Sequence, residues 1–227
     1  MILLALKIHK DIAIDSHMKF EDIVYNNNIY LYLGDMSIQR RIYTNTNFIG
    51  LSLMVDNEYH IKHDVTKPFP LKDNTVDLIQ SEDVMEHIEY NRLQQTINEI
   101  YRVLKPGGLF RLSMPDYNCD ILYKRSEKDS NGNIIFDRYG GGEYDRVNNR
   151  VVNGGHVWFP VFSLVKSLLE STDFVNDKIN YLHYYDGSTP VTNKIDYSKG
   201  YISRTPDNDI RVQNPYRPMS IVVDCYK

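Results

Sequence analysis

Residues 97–116 read INEIYRVLKPGGLFRLSMPD, which combines a helical pattern, a break and a strand-like run in direct succession. Apolar residues recur at the three-to-four-residue spacing of an amphipathic helix, namely Leu93, Ile97, Ile100 and Leu104. Pro106 cannot continue a helix, and the glycines that follow it favour a change of chain direction. The next run, LFRLSM, is typical of a buried strand. This stretch therefore predicts a helix that packs on a sheet, followed by a strand of the same sheet.

The rest of the chain repeats this alternation of strands and helices. Strands are predicted at Ile29–Leu33, Asn47–Leu53, Tyr59–His63, Thr75–Gln80, Leu109–Met114, Ile179–Tyr185 and Met219–Tyr226. Helices are predicted at Ser16–Tyr25 and Pro160–Ser171, with a turn or weak helix at Ser37–Tyr43. Such alternation favours an α/β fold with a parallel, doubly wound sheet.

Composition limits the classes of function. The 227 residues have a net charge of −4, which argues against nucleic-acid binding through a basic surface. The initial MILLALKIHK is too short to span a bilayer and lacks the basic start of a signal peptide. Two cysteines make no disulfide framework, so we expect a reducing, cytoplasmic setting.

Polar and small residues follow the predicted strands where each strand ends. In a parallel sheet these ends share one rim, and ligands bind there. The rim is expected to contain Gly34–Met36, Ser52, Asp64, Ser81–Glu82 and Met114–Asp116.

Each rim residue has a functional and an ordinary interpretation. Gly34 would let the backbone approach a ligand, or it only makes a turn. Asp64 would accept a hydrogen bond from an adenine amino group, or it is a solvated loop acid. His87, next to Glu86, is a candidate general base or part of a hydrogen-bonded surface pair. Trp158 would cover a substrate or anchor its segment to the sheet.

Several motifs are missing from the sequence. It contains no HExxH, no paired-cysteine zinc spacing, no phosphate-binding loop, no GxGxxG and no GxSxG. No metal-binding set is therefore predicted. Asp116 and Asp120 are close enough in sequence that binding of a divalent ion remains an alternative.

Two segments resemble class I S-adenosylmethionine-dependent methyltransferases. They are residues 63–88, HDVTKPFPLKDNTVDLIQSEDVMEHI, and the opening stretch 97–116. The matching positions are Asp64, Pro68, Phe69, Asp73, Asp77, Glu86, His87, Arg102–Gly108, Pro115 and Asp116. The resemblance implies a Rossmann-like, mostly parallel seven-stranded sheet with an antiparallel last strand, and S-adenosylmethionine as cofactor.

The first family motif is reduced in this chain. Gly34 is the single glycine left of a glycine-rich loop, and Ser52 stands where the family has an acid for the ribose. A short connection from Leu31–Gly34 to Phe48–Ser52 resembles a subgroup associated with glycan biosynthesis and sometimes fused to glycosyltransferases. A looser likeness is to methyltransferase domains of chlorovirus glycan-modifying proteins. The subgroup with the short connection also has matching positions at Gly155, His156, Trp158 and Phe174.

The resemblance implies a role for each matching position. The catalytic candidates are Asp116, His87 and His156, and the substrate candidates are Trp158 and Tyr117. The implied cofactor-binding residues are Leu33, Gly34, Asp35, Met36, Ser52, Asp64, Val65, Ser81 and Glu82. Asp56 is an alternative to Ser52 as the ribose ligand.

The predicted function is O-methylation of a sugar hydroxyl on a glycan or glycoside. Alternatives are methylation of another small molecule or a protein nitrogen, or an inactive binding module. The predicted organisation is a single domain over 1–227, which could be part of a longer protein: a cofactor-binding core at 28–120, a lid at 123–158 and an acceptor-side loop at 186–218. The expected partners are a sugar acceptor and associated glycosyltransferases, with no nucleic acid and no membrane span.

Overall fold

The computed structural model describes residues 17–37 and 47–227. The apolar start of the chain and nearly all of the predicted turn at residues 37–43 lie outside these described ranges. A mixed sheet of eight strands forms the centre, and two separate two-stranded sheets stand apart from it. No described helix is both long enough and apolar enough to cross a bilayer.

The elements follow the predicted alternation. The helices are α1 (Phe20–Ile23), α2 (Tyr90–Val103), α3 (Asp120–Arg125) and α4 (Phe162–Glu170). The central sheet contains β1 (Tyr30–Leu33), β2 (Ile49–Ser52), β3 (His60–Lys62), β4 (Val76–Glu82), β5 (Leu104–Pro115), β10 (Ile179–Asp186), β11 (Thr189–Thr192) and β12 (Ser220–Tyr226). The two hairpins pair β6 (Glu127–Lys128) with β7 (Ile134–Phe136) and β8 (Glu143–Asp145) with β9 (Arg150–Val152).

Strand order is β11-β10-β12-β5-β4-β1-β2-β3. From β3 to β5 every neighbouring pair is parallel, and β12 is antiparallel to both β5 and β10. This confirms the mostly parallel sheet with an antiparallel C-terminal strand. The sheet has one strand more than the predicted seven, because the chain turns at Gly187, with φ +59°, and β11 pairs back onto β10.

Different segments cover the two faces of the sheet. On one face α2 buries the predicted stripe, with Leu93, Ile97 and Ile100 fully inaccessible. The helix ends at Val103, so Leu104 belongs to β5 and not to the helix. In the described part of the chain, loop 193–203 lies on the opposite face, where a helix would complete a doubly wound fold.

Buried polar side chains hold that loop in place. Gln80 Nε2 donates to the Tyr201 carbonyl at 2.6 Å. Arg111 Nη1 donates to the carbonyls of Asp196 and Gly200 at 2.8 and 2.9 Å. The loop thereby satisfies polar groups of β4 and β5 that an apolar helix face would leave unpaired.

Strand register aligns the ends that form the rim. Leu33 lies beside Leu51 on one side and Ser81 on the other, and Ser52 lies beside Lys62. The segments that follow β1, β2, β3 and β4 therefore meet at one edge of the sheet, as the sequence predicts.

Candidate active site

A cavity of about 580 Å³ opens at this rim. Eight residues named by the sequence analysis line it: Leu33, Gly34, Asp35, Ser52, Asp64, Val65, Glu82 and His87. They come from the ends of four strands and from the 3₁₀ turn Met85–His87 after β4. A ligand in this cavity would contact residues at the ends of four of the five parallel strands.

Gly34 provides the close backbone approach. Its φ is +97°, in the region that favours glycine, and a Cβ added there would lie 3.1 Å from Val84 Cγ2. Any side chain at this position would strain the backbone and press on the cavity wall. The backbone geometry thus accounts for the retention of this one glycine.

Asp35 and Ser52 form one unit at the tips of β1 and β2. The Ser52 hydroxyl donates to Asp35 Oδ1 and accepts from the backbone N–H groups of Met54 and Val55 at 3.0 and 2.8 Å. Ser52 therefore holds the turn after β2 and brings the Asp35 carboxylate to it. A carboxylate from the loop after β1 therefore lies at the end of β2, beside the position where the resemblance implies an acid.

Asp64 forms a second fixed carboxylate, at the β3 end of the cavity. Its Oδ1 accepts from the Thr66 N–H at 2.9 Å and from the Thr66 hydroxyl at 2.7 Å. Partial burial acts to raise the pKa of Asp64, but the two Thr66 hydrogen bonds and the charges of Arg92 and Lys67 outweigh it, so the pKa lies below its ordinary value. The group is thus an ionised acceptor at neutral pH.

The loop predicted as the acceptor side is tied to the end of β4. Glu82 Oε1 accepts from the Ser203 N–H at 3.0 Å and from the Ser203 hydroxyl at 2.5 Å. Arg204 forms an ion pair with Asp83, a non-glycine residue with φ +58°. These contacts hold the loop against the rim of the cavity.

A third group joins the turn after β4 to the end of the predicted lid. The Val157 N–H donates to the Glu86 carbonyl at 2.9 Å, which brings His156 beside Glu86 and His87. The imidazole centroids of His87 and His156 lie 4.7 Å apart, and His156 Nε2 lies 3.6 Å from Glu86 Oε1.

Burial shifts the pKa of two members of this cluster. Burial, followed by the Asp83 charge, raises the pKa of Glu86 well above its ordinary value. Burial and the neighbouring His87 lower the pKa of His156 to about 3. His156 is therefore neutral at physiological pH, and of the two histidines only His87 lines the cavity.

Asp116, a predicted catalytic residue, serves a different purpose in the structure. It is fully inaccessible and does not line the cavity. Its two carboxylate oxygens accept from the backbone N–H groups of Asn118 at 3.0 Å and Tyr185 at 2.9 Å. Asp116 joins β5 to β10, and this use of both oxygens argues against a role as the base.

The predicted substrate residues are also buried away from the cavity. Trp158 Nε1 donates to the Met85 carbonyl at 2.9 Å, and the ring packs edge-on against Tyr90. This is the anchoring role that the sequence analysis left open. The Tyr117 hydroxyl lies between Asp137 and His156.

Two predicted cofactor residues lie outside the lining of the cavity. Met36 packs beneath the rim, in the cluster with Tyr32 and Phe48, and its N–H donates to His60 Nε2 at 3.0 Å. Ser81 is fully buried within β4. Successive side chains of a strand point to opposite faces, so Ser81 points away from the cavity that its neighbour Glu82 lines.

Other lining residues were not predicted from the sequence. They are Tyr32, Leu51, Leu53, Met54, His63, Thr66, Asp83, Val84, Ile88, Glu89, Arg92 and Gly154. Most of them directly follow a strand end already identified, so extending each predicted end by a few residues would have found them. Gly154 and Arg92 have no such signal, because the lid and α2 reach the cavity only through tertiary packing.

The two candidate metal sets differ in the structure. Asp120 pairs with Arg217 at 3.0 Å and Lys124 at 3.3 Å, which leaves its carboxylate neutralised. In contrast, Glu86, His87 and His156 each place one potential ligand atom within 4.8 Å of the others, a grouping that the sequence analysis did not predict as a metal site.

Comparisons with known proteins agree with this architecture. Residues 44–112 match a family described as a methyltransferase domain. The chain is similar to an S-adenosylmethionine-dependent methyltransferase from Archaeoglobus fulgidus, with 14% identity, a TM-score of 0.50 and coverage of 91% of this chain and 90% of that chain. Another similar structure, an S-adenosylmethionine-dependent methyltransferase from Mesorhizobium loti, has 19% identity, a TM-score of 0.47 and coverage of 88% and 90%. No curated protein sequence matches significantly.

The family match covers β2, β3, β4 and most of β5, and it includes three of the four strands whose ends line the cavity. Together with the sheet order, it indicates a methyltransferase domain of Rossmann-like fold. The cavity fits S-adenosylmethionine, the cofactor that the sequence resemblance implies, because Gly34 leaves room at the backbone and Asp35 and Asp64 provide two acceptor carboxylates.

Proposed function

We propose that the protein methylates a hydroxyl group of a sugar, within a glycan or glycoside. The observation that carries the proposal is the position of His87, which lines the cofactor cavity at its border with the predicted lid. His87 Nδ1 lies 2.9 Å from the Gly154 carbonyl. A proton on Nδ1 satisfies that carbonyl and leaves Nε2 free to accept a proton from an acceptor hydroxyl.

Two carboxylates in the cavity would bind different parts of the cofactor. Asp35, positioned by Ser52, would hold the ribose hydroxyls, and Asp64 would accept from the adenine amino group. Leu53, Met54, Val65 and Ile88 provide apolar surface for a flat ring. When bound, S-adenosylmethionine supplies an electrophilic methyl group, and the residues of this chain orient the acceptor, exclude water and take up its proton.

The acceptor side of the proposal rests on a second, smaller cavity. It has a volume of about 250 Å³ and lies among the two hairpins, the start of α2 and Phe159. Its lining mixes Tyr144, Asn149 and Arg150 with Glu89, and Glu89 also lines the cofactor cavity. An aromatic ring among hydrogen-bonding side chains suits a polyhydroxyl ligand, whose faces are apolar and whose edges are polar.

Some finer expectations from the sequence extend this proposal. The short connection between β1 and β2 supports placement in the subgroup associated with glycan biosynthesis, with glycosyltransferases as partners. The buried free thiols of Cys119 and Cys225 suit a reducing cytoplasm. The division into a core at 28–120, a lid at 123–158 and an acceptor-side loop at 186–218 belongs to the same proposal.

A panel of methyl acceptors tests the proposed function. The protein is incubated with S-adenosylmethionine carrying a labelled methyl group and with matched sugars, phenols and amines, and the products are analysed by mass spectrometry. We expect label on a sugar hydroxyl, and His87→Gln should slow transfer by about 10²–10⁴-fold. His183→Gln, which changes a buried histidine away from the cavity, is the control. Label on amines alone, or unchanged transfer by His87→Gln, would contradict the proposal.

A further inference from the structure

We propose that Glu86, His87 and His156 bind a divalent transition-metal ion, with zinc as the best-fitting ion. The three side chains offer ligand atoms that lie within 4.8 Å of one another. Two imidazoles and one carboxylate form a recognised zinc ligand set, and three protein ligands leave a coordination position open. Residues of two segments that are distant in sequence make the site, which explains the absence of a metal motif.

Glu86 gives the clearest indication that something is bound here. Its side chain has no solvent exposure, and neither carboxylate oxygen has a hydrogen-bond partner in the described part of the chain. Buried carboxylates in proteins are normally paired, hydrogen-bonded or coordinated to a metal. A cation between Glu86 and the histidines would satisfy the group.

The hydrogen bonds around His156 determine its tautomer, that is, which ring nitrogen carries the proton and which has a lone pair. The Tyr117 hydroxyl, which has a single proton, donates to Asp137 Oδ2 at 2.8 Å. It must therefore accept from His156 Nδ1, which lies 2.6 Å away. That tautomer leaves Nε2 without a proton, and its lone pair faces Glu86.

The separation of these two atoms suits a shared ion. His156 Nε2 and Glu86 Oε1 are 3.6 Å apart, beyond ordinary hydrogen-bond length. Two ligands of a tetrahedral zinc ion with bonds of about 2.1 Å lie about 3.4 Å apart. The observed separation is thus closer to that of two zinc ligands than to that of a donor and an acceptor.

Surrounding contacts fix the ligands as they do in known metal sites. Arg125 donates to Asp137 Oδ2 from two nitrogens, at 3.0 and 2.6 Å, and so continues the chain from Tyr117. A Cβ added at Gly140 would lie 2.6 Å from His156 Cγ, so the lid packs directly on the imidazole. Hydrogen bonds and packing of this kind orient metal-binding histidines.

The site has access to the catalytic cavity through His87. This histidine is exposed and lines the cavity, whereas Glu86 and His156 are buried behind it. With His87 as a ligand, a bound ion with an open position would lower the pKa of an acceptor hydroxyl, and the proton of that hydroxyl would pass to solvent water instead of to His87. That role depends on the proposed function, whereas metal binding itself does not.

Metal binding by the purified full chain tests the proposal without any methyl acceptor. After chelator treatment, the protein is dialysed against Zn²⁺ for measurement of bound metal by mass spectrometry, and it is titrated with Co²⁺ as a visible-absorption probe. We expect one zinc ion per chain and an intense tetrahedral Co²⁺ band. Glu86→Gln and His156→Gln should each weaken binding by at least about tenfold, and Tyr117→Phe by about 10–100-fold. His183→Gln is the matched control, because His183 is also a buried histidine.

Each remaining outcome overturns the proposal. No zinc bound by the wild-type chain at micromolar concentration would do so, as would equal binding by wild type and Glu86→Gln. Preferential binding of Mg²⁺ would also contradict it, since Mg²⁺ requires oxygen ligands. Circular dichroism identifies any variant that fails to fold. In that case the Co²⁺ spectrum of the wild-type chain still shows whether the chain binds the ion in a tetrahedral site. Failure here would leave methyl transfer with His87 as base intact.

Discussion

Asp35, which we propose as a cofactor-binding acid, comes from the loop after β1 but reaches the end of β2. Ser52 makes this possible by donating its hydroxyl proton to Asp35 while it accepts two backbone N–H groups of its own turn. One Asp35 oxygen is engaged in this way, and the other is available to a ribose hydroxyl. We infer that the pair replaces the single acid found at this position in the family.

Asp35→Asn should weaken binding of S-adenosylhomocysteine by about 10- to 100-fold, which corresponds to the loss of about 1.5–3 kcal/mol from a hydrogen bond to a charged group. Isothermal titration calorimetry measures this effect. Asp56→Asn provides the control, since Asp56 is half-exposed, pairs with His17 and does not line the cavity. Equal affinity for wild type and Asp35→Asn would remove Asp35 from the binding site.

At the residue scale, the sequence alone predicted part of the candidate site. Gly34, Asp64 and His87 lie at the cavity because each comes within five residues after the end of a parallel strand, and strand order is enough to bring them together. Asp116 also follows a strand, but its partner, the Tyr185 N–H, comes from a segment 69 residues further along the chain. A contact of this range leaves no local signal, so sequence reasoning could not separate a structural carboxylate from a catalytic one.

At the scale of elements, Asp116 connects the end of β5 with β10 through the Tyr185 N–H. Burial raises the pKa of Asp116 from 3.8 to about 6, although two backbone N–H groups partly offset the effect. Between these two pH values the unfolded chain holds fewer protons on this carboxyl than the folded chain does. The free energy of unfolding contributed by Asp116 therefore falls as pH rises from about 4 to about 6.

Urea unfolding of wild type and Asp116→Asn across this pH range measures the contribution. The difference in unfolding free energy, wild type minus variant, should decrease from about pH 4 to about pH 6 and stay constant above that. A difference that rises with pH would contradict the raised pKa. The variant should also retain methyl transfer under conditions where it is folded, because Asp116 does not line the cavity.

The elements predicted from the sequence agree best with the structure where a helix is strongly amphipathic or a strand is fully buried. The α2 stripe and the β4 and β5 strands are examples. The prediction missed β11, because its sequence TPVT is short and includes a proline that only an edge strand tolerates. The glycine- and asparagine-rich segment 123–155, which the sequence predicts as part of a lid, forms two hairpins.

At the scale of the whole molecule, one buried ion pair joins the central sheet to the loop on its second face. Arg111 Nε and Nη2 donate to the two Asp224 oxygens at 2.8 and 2.7 Å, across β5 and β12. The remaining nitrogen of Arg111 holds loop 193–203. Nothing in the sequence near either residue predicts the pair, since they are 113 positions apart.

Asp224→Ala should reduce the free energy of unfolding by about 3–5 kcal/mol, because it leaves a buried guanidinium without its counter-charge. Chemical denaturation measures the loss. The matched control is Glu127→Ala, which removes an exposed pair with Arg146 and should cost less than about 1 kcal/mol. If the two variants lose the same free energy, Arg111 and Asp224 do not form the buried connection seen here.

The central claim is that the cavity at the ends of β1 to β4 is a working S-adenosylmethionine site despite its reduced glycine loop. Calorimetric titration of the wild-type protein with S-adenosylhomocysteine tests this claim most directly, with Gly34→Val as the variant that fills the cavity wall beside Val84. We predict one molecule bound per chain by wild type, and strongly weakened binding by the folded Gly34→Val variant. An absence of binding by the wild-type protein, or equal binding by both proteins, would contradict the account.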